Sequence, residues 1–353
     1  MKNLYDTKKA KTLKTDLQLR VYTSNLLGQS DALVLHGGGN TSVKTVVDGE
    51  DILLVKGSGW DLVSIKEEGF APVKLSTLLE MAKLEKLSDS DMVSGQKAAM
   101  IDKSAPNPSV EAILHALIPF KFVDHTHADA VVTISNAKTG LENIKKVFPN
   151  FLIVPYVMPG FILAQTIYEM SRDLDWESID GIILHNHGIF TFDNDAKTSY
   201  DKMIDAVTLA EEFLEQEAKV EFTQMKEGVA FDTEEIQKII SQEKGYEVVI
   251  NLNQTPLAQL YASQKNLKEF ASRGVLTPEH IIRTKRIPLI LEDENFEDVL
   301  KIYKESYIKY FEEFASDELC LNPAPNYMII KNIGVISFGK TQKEADIIND
   351  IVE

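Results

Sequence analysis

The chain has 353 residues, 44% of them hydrophobic and 26% charged, with a formal net charge of −17. That composition supports a packed core in one large or two ordinary domains, and excludes disordered, collagen-like and disulfide-scaffold chains. With 37 basic against 54 acidic residues, most of the surface repels nucleic acid and anionic membranes, so an anionic ligand needs a local, organised site.

The single cysteine, Cys320, cannot close an intramolecular disulfide and reads as a small hydrophobe in a reducing compartment. Residues 1–20 carry Lys2, Lys8, Lys9, Lys11 and Lys14 without a long apolar run, unlike a secretory signal. The most apolar stretch, 151–163, is interrupted by Pro155, Pro159 and Gly160 and is too short to span a bilayer. The expectation is a cytoplasmic protein with no membrane or nucleic-acid partner.

In chain order, Leu17, Val21, Leu26 and Leu27 recur at helical spacing, which predicts a helix over 16–27 stopped by Gly28. Two short apolar runs, 32–35 and 51–55, read as strands that end in glycine-rich turns, Gly37-Gly38-Gly39-Asn40 and Gly57-Ser58-Gly59. Residues 74–101 are helix-rich. Pro106-Asn107-Pro108-Ser109 reads as a turn, with Ser109 capping a helix over 110–117. Residues 122–134 read as a core strand, 150–157 as another, 159–170 as a helix and 181–184 as a strand. A long helix follows over 195–220, with Met203, Ala206, Val207, Ala210 and Leu214 on one stripe.

The pattern then lapses over 219–235, and a domain boundary is placed there: a first domain over 1–235 and a C-terminal α/β extension over 236–353. Beyond it, helical patterns surround Thr277-Pro278-Glu279-His280. The chain closes as strand 326–331, turn, strand 335–338 and helix 341–352. Strands mixed with helices define an α/β class.

The chemistry concentrates at histidine. On a strand, residues i and i+2 face the same way, so His125 and His127 can converge on one divalent cation. The plainer reading of such a pair is two partly buried imidazoles with hydrogen-bonded nitrogens. His187, in His185-Asn186-His187-Gly188, adds a third imidazole at a strand end, and three histidines leave a fourth position open, as catalytic sites do. Glu111 opens a helix, where the helix dipole alone favours a carboxylate; beside a metal it would serve as a general acid/base. His115, one turn on, reads as a packing or hydrogen-bonding residue rather than a ligand. The two glycine turns lack the phosphate-loop pattern and by pattern alone are tight turns; with Ser58, Ser109, Lys44 and Lys56 near in sequence, an anion pocket is the alternative.

Taken in order, Gly39-Asn40-Thr41-Ser42, Gly57-Ser58-Gly59, Pro108-Ser109-Val110-Glu111, His125-Thr126-His127 and Asn186-His187-Gly188 resemble the class II aldolase/adducin family. The segments His36 to Lys44, Lys56 to Leu62, Val123 to His127 and His280 to Lys285, and the closing Gly339-Lys340-Thr341, look like the aldolase part of the bifunctional rhamnulose-1-phosphate aldolase/alcohol dehydrogenase group. The resemblance implies an α/β/α sandwich around a mostly antiparallel sheet, assembled as a homotetramer with sites between subunits. It implies zinc, or another divalent metal, on His125, His127 and His187, with Glu111 as acid/base and a substrate phosphate on Asn40, Ser58, Gly59 and Ser109. Simpler members have two serines before the glutamate; Val110 replaces the second here.

The implied reaction cleaves a ketose 1-phosphate at C3–C4 to dihydroxyacetone phosphate and a short aldehyde such as lactaldehyde. The bifunctional relatives continue into a dehydrogenase domain; no dinucleotide fingerprint is present in this sequence, and no redox activity is expected of it. A 4-epimerase, a dehydratase or a decarboxylase would use the same scaffold. An adducin-like interaction module is the alternative without a metal.

Overall fold

The computed structural model describes residues 1–218, 231–316 and 318–353. The chain divides into two compact units, Met1–Lys219 and Val220–Glu353.

The first unit begins with a short helix, α1 (Thr7–Ala10), capped by Asp6, and α2 (Asp16–Leu27), capped by the Thr15 hydroxyl on Gln18 N–H. Strand β1 (Asn40–Val47) turns through Asp48-Gly49, both with positive φ, into β2 (Glu50–Lys56). Then come β3 (Phe70–Lys74), α3 (Leu75–Ala82), α4 (Asp89–Ala98) and α5 (Ala112–Leu117). The chain continues through β4 (Phe122–Thr126), α6 (Asp129–Ser135), α7 (Gly140–Val147), β5 (Phe151–Val154), α8 (Phe161–Met170), β6 (Gly181–Leu184) and β7 (Gly188–Asp193). It ends in α9 (Ala196–Glu217), capped by Asp195 on Thr198 N–H.

The seven strands form one sheet in the order β3-β2-β1-β4-β7-β6-β5, antiparallel at every pairing but β5·β6. Period-two alternation sends its side chains to two apolar layers. On one face Ile183 and Ile189 pack with Leu27, Val131, Tyr200, Met203 and Val207 of α2, α6 and α9. On the other, Val55, Val73, Val123 and Phe190 pack beneath α3, α5 and α8. The result is the three-layer α/β/α sandwich with a mostly antiparallel sheet that the motifs imply. Among the described residues no helix is long and apolar enough to cross a membrane.

Three sequence expectations are corrected. Residues 32–35 form turns, with Leu33 and Val34 N–H both directed to Ser30 O; the first strand starts after the triple glycine, at Asn40. The reason lies at Gly39. Its φ is +60°, and a Cβ there would stand 2.6 Å from His125 O, so the chain needs glycine to pass close to β4 before entering the sheet. Second, the run 122–134 splits. Its strand ends at Thr126, and 129–135 is a buried helix, because a continuous apolar run fits either element. Third, the helix expected from 110 starts at Ala112. Ser109 Oγ accepts Glu111 N–H at 3.2 Å, and Val110 is exposed. Residues 219 and 220, expected to end the long helix, lie outside the described residues, as does most of the 219–235 boundary segment.

The second unit contains α10 (Thr233–Lys244), β8 (Val249–Asn253), α11 (Pro256–Ala262), α12 (Leu267–Ala271), α13 (Pro278–Arg283), β9 (Leu289–Leu291), α14 (Phe296–Phe314), β10 (Tyr327–Ile330), β11 (Gly334–Gly339) and α15 (Gln342–Val352). Its sheet runs β8-β11-β10-β9, with β9·β10 parallel, over a core of Ile236, Ile240, Leu289, Leu300, Met328, Ile336 and Phe338. This is the C-terminal α/β extension.

Candidate metal centre

The site grows from the register of three neighbouring strands. Asn40 of β1 lies opposite His125 of β4, which lies opposite Phe190 of β7, so all three project from the face covered by α5. The Phe190 ring stacks on the His125 imidazole at 4.0 Å between centroids. His127 follows two residues on. His187 comes from the tight turn between β6 and β7, where Asn186 takes φ +59° and His187 N–H bonds Leu184 O at 3.0 Å. Turning this sharply at Asn186 aims the His187 ring back at β4.

Gly188 makes room for that convergence. A Cβ at this position would lie 2.5 Å from Thr126 O, 2.9 Å from His125 Cε1 and 3.0 Å from His127 Cδ2. Any side chain would displace the imidazoles.

His125, His127 and His187 are all buried, and one ring nitrogen from each falls within 4.8 Å of the others. The Nε2 atoms of His125 and His127 are 3.0 Å apart. His125 Nδ1 is 3.0 Å from Ile189 O, which can only accept; Nδ1 therefore carries the proton and Nε2 turns its lone pair inward. Two such nitrogens at this separation suit ligands on one tetrahedral ion, whose bonds of about 2.0–2.1 Å set neighbouring donors roughly 3.3 Å apart. All-imidazole donors match zinc and other borderline divalent cations. The residues present fit the group.

Glu111 sits against the triad from the start of α5 and is 7% exposed. Its Oε2 is 3.5 Å from His125 Nε2, and its Oε1 is 3.5 Å from His187 Nε2. Asn40 Nδ2 donates to Oε2 at 2.6 Å. Oε1 accepts no hydrogen bond among the described residues.

The remaining predicted site residues lie on two joined loops. Ser58 N–H donates to Asn107 O at 2.8 Å, Ser109 N–H donates to Lys56 O at 3.1 Å, and Gly57 pairs with Pro108. The joined loops form one rim, on which Ser58 and Gly59 are exposed and Ser109 is half-buried. Lys56 Nζ donates to Gly37 O at 2.9 Å, tying the first glycine turn to this rim. Lys44 points elsewhere: its ammonium donates to His115 O, Ile118 O and Phe120 O at 2.5 to 2.9 Å, capping the C-terminal end of α5. Burial pushes Lys44 down to about 7.

Sequence reasoning missed the layer behind the site. On the opposite face of β4, Asp124 takes a buried ion pair from Arg20 of α2 and a hydrogen bond from the Ser199 hydroxyl of α9, all with no solvent exposure. This network anchors the strand whose next residue is His125. The signal available was a charged residue in the middle of an apolar strand.

The model for the class II aldolase and adducin N-terminal domain matches residues 18–214, and that for the aldolase class II second domain matches 227–353. The chain therefore belongs to the class II aldolase/adducin family. It is 29% identical over 371 residues to an uncharacterized oxidoreductase, YuxG, of Bacillus subtilis (strain 168), matching 97% of this chain and 53% of that protein. The chain spans about half the length of this curated relative. Among solved structures, the N-terminal class II aldolase domain of a conserved Thermoplasma acidophilum protein is 40% identical, covers 61% of this chain and 99% of its own, and superposes with a TM-score of 0.56. An L-fuculose-1-phosphate aldolase from Thermus thermophilus is 16% identical over 56% of this chain and 92% of its own, with a TM-score of 0.37.

Proposed function

We propose that this protein is a divalent-metal-dependent aldehyde-lyase that cleaves a ketose 1-phosphate of the rhamnulose 1-phosphate type to dihydroxyacetone phosphate and a short aldehyde such as lactaldehyde. The observation that carries the reading is the convergence of three buried imidazoles with one carboxylate, Glu111, that keeps an oxygen without a hydrogen bond among the described residues. An interaction module has no need of such a set.

A cation held by His125, His127 and His187, zinc in this reading, supplies Lewis-acid polarisation of a substrate carbonyl. The chain's own groups do the rest. The Gly59 amide, the Ser58 and Ser109 hydroxyls and the second N–H of the Asn40 amide hold the phosphate locally, which a net charge of −17 requires. As C3–C4 breaks, the C4 hydroxyl gives up its proton to become the aldehyde oxygen, and the bond's electron pair stays on the carbon next to the carbonyl. One proton leaves the substrate and one is returned, and Glu111 delivers the returning proton to that carbon. Burial keeps bulk water from competing for it. We read the working form as a homotetramer; light scattering that finds a fully active monomer overturns that part alone.

The test is a cleavage screen of ketose 1-phosphates with product identification. Dihydroxyacetone phosphate and an aldehyde are expected. Interconversion of pentulose phosphates without release of either would establish a 4-epimerase instead, and loss of water or of carbon dioxide a dehydratase or decarboxylase.

A further inference from the structure

Ser42 and Asn40 project from the same face of β1 two residues apart, and Glu111 and His115 lie four residues apart at the start of α5. Between them runs one unbroken chain of side chains. Ser42 Oγ is 2.8 Å from His115 Nδ1, His115 Nε2 bonds Asn40 Oδ1, and Asn40 Nδ2 bonds Glu111 Oε2. All four residues are buried.

The donor and acceptor roles in this chain follow from its far end. An ionised carboxylate only accepts, so Asn40 must turn its NH2 toward Glu111. Its Oδ1 then faces His115 and can only accept, so His115 Nε2 carries the proton. In a neutral ring Nδ1 is left to accept from the Ser42 hydroxyl. The neutral form is the one the surroundings favour: burial holds the His115 imidazole well below its ordinary range, and His125, Lys44 and Arg20 act in the same direction. Lys44 also donates to the backbone carbonyl of His115, which fixes the turn of helix carrying the ring. Reversing the Asn40 amide would set its oxygen against the carboxylate and its NH2 against the imidazole N–H, two repulsive contacts at once.

We propose that His115 is a positioning residue, which by donating Nε2–H to Asn40 Oδ1 orients that amide so that it pins Glu111 Oε2 and leaves Oε1 as the oxygen that moves the proton. The inference rests on Glu111 being the proton-transfer group of the function proposed above. His115 gives its two ring nitrogens to Ser42 and Asn40, and it acts through Asn40. An oxygen displaced by even a fraction of an ångström loses reach to a reacting carbon, and misplacement of this kind costs up to about 100-fold.

The experiment compares His115→Leu, which keeps bulk without a donor, with His115→Gln, which restores an N–H at the far end of the side chain. Ser42→Ala serves as a milder third variant should the leucine protein fail to fold. The first readout needs no activity. In metal-free full-length protein labelled with 15N-asparagine, the Asn40 side-chain amide is identified by its loss in Asn40→Ala, and its exchange with solvent is measured. A protected amide is expected in the wild type and in His115→Gln, and an unprotected one in His115→Leu, with Ser42→Ala between them. The second readout is exchange of solvent deuterium into dihydroxyacetone phosphate by the metal-loaded enzyme. Here kcat is expected to fall about 10- to 100-fold in His115→Leu, with KM little changed, and to recover in His115→Gln.

An Asn40 amide that stays protected in the leucine protein overturns the proposal. So does equal impairment of the leucine and glutamine proteins, which reduces His115 to packing, and so does loss of protection with kcat unchanged. If the wild type exchanges no deuterium at all, the aldolase reading falls, while the amide measurement still decides whether His115 orients Asn40.

Discussion

Asn40 holds Glu111 by a 2.6 Å hydrogen bond to Oε2, although the two residues are 71 positions apart in sequence. The bond joins the first strand after the triple glycine to the first turn of α5. It leaves the two carboxylate oxygens chemically distinct, one engaged by an amide and one without a hydrogen bond among the described residues. A carboxylate kept only for helix-dipole stabilisation would lie in solvent with both oxygens hydrated. Glu111 is instead buried among imidazoles, the arrangement expected of a group that exchanges a proton with a substrate.

Glu111→Gln preserves volume and the contact with Asn40 but cannot accept a proton. The variant is expected to keep its metal and to lose about 10²- to 10⁴-fold in the exchange of solvent deuterium into dihydroxyacetone phosphate. Proton NMR of the product reads the exchange, and elemental analysis reads the metal. A variant that exchanges at the wild-type rate removes Glu111 from the mechanism and turns attention to a bound water, since Asp124 faces away from the site in its ion pair with Arg20.

Protein purified without chelator is expected to carry roughly one divalent ion per chain, most of it zinc. His127→Ala should lose it and His115→Ala should keep it, because His115 spends both ring nitrogens on Ser42 and Asn40. Elemental analysis of the two variants side by side decides this. Metal-free protein with full activity sinks the metal reading altogether.

Much of this site was legible in the sequence, for reasons that can be named. His125 and His127 were readable because strand alternation makes an i, i+2 pair a shared face. The face of Glu111 and His115 was open to the same reasoning at i, i+4, and that of Asn40 and Ser42 at i, i+2. What no spacing rule supplies is that these two pairs meet, because the meeting depends on the β1·β4 register and on α5 lying across it. Strand β7 went unread since Gly188-Ile189-Phe190-Thr191-Phe192 follows a histidine turn that looks like the end of a unit; it is the second arm of that turn. The run 122–134 was misread at its second half, where Val131 and Ile134 are as apolar as a strand but bury as a helix against α9.

Replacing the side chain of Ser58, which is exposed, tests the phosphate rim. Ser58→Glu places a carboxylate where the phosphate would bind. KM for a phosphorylated ketose is expected to rise roughly 10- to 100-fold, the scale of a lost hydrogen bond to a charged group. KM for the unphosphorylated sugar should hardly move. Steady-state kinetics on both substrates checks it, and equal losses on both would assign the effect to general damage.

Gly188→Ala adds one methyl group at the point where the three imidazoles meet. Since the new Cβ would stand 2.5 Å from Thr126 O and 3.0 Å or less from two histidine rings, the rings must move apart. Metal affinity should fall about 10- to 100-fold, as for other changes that disturb ligand orientation. Competition with a chromophoric chelator measures it. Unaltered affinity would show that β7 shifts to accommodate the methyl and that Gly188 has no part in shaping the site.

Lys44 gives the fold a pH dependence of unusual sign. Burial brings its ammonium from an ordinary 10.5 down to about 7 in the folded protein, and the three carbonyls around it pull the other way without restoring the ordinary value. Above about 7 the folded state has released this proton, while the unfolded chain holds it until about 10.5. In that window the unfolded state binds more protons, so the Lys44 contribution to stability rises with pH; below it both states are charged and the cost of burying the ammonium is carried in full. Lys44→Met removes the titrating group and keeps the length of the side chain. Trp60 and Trp176, the only two tryptophans, both lie in the first unit with Lys44, so their fluorescence during urea unfolding reports on the right part of the chain. From about pH 7 to about pH 9 the midpoint of the wild type should climb relative to that of Lys44→Met. Midpoints that run parallel across the range would mean that the three carbonyls hold the ammonium charged throughout, and that Lys44 is a permanent cation capping α5.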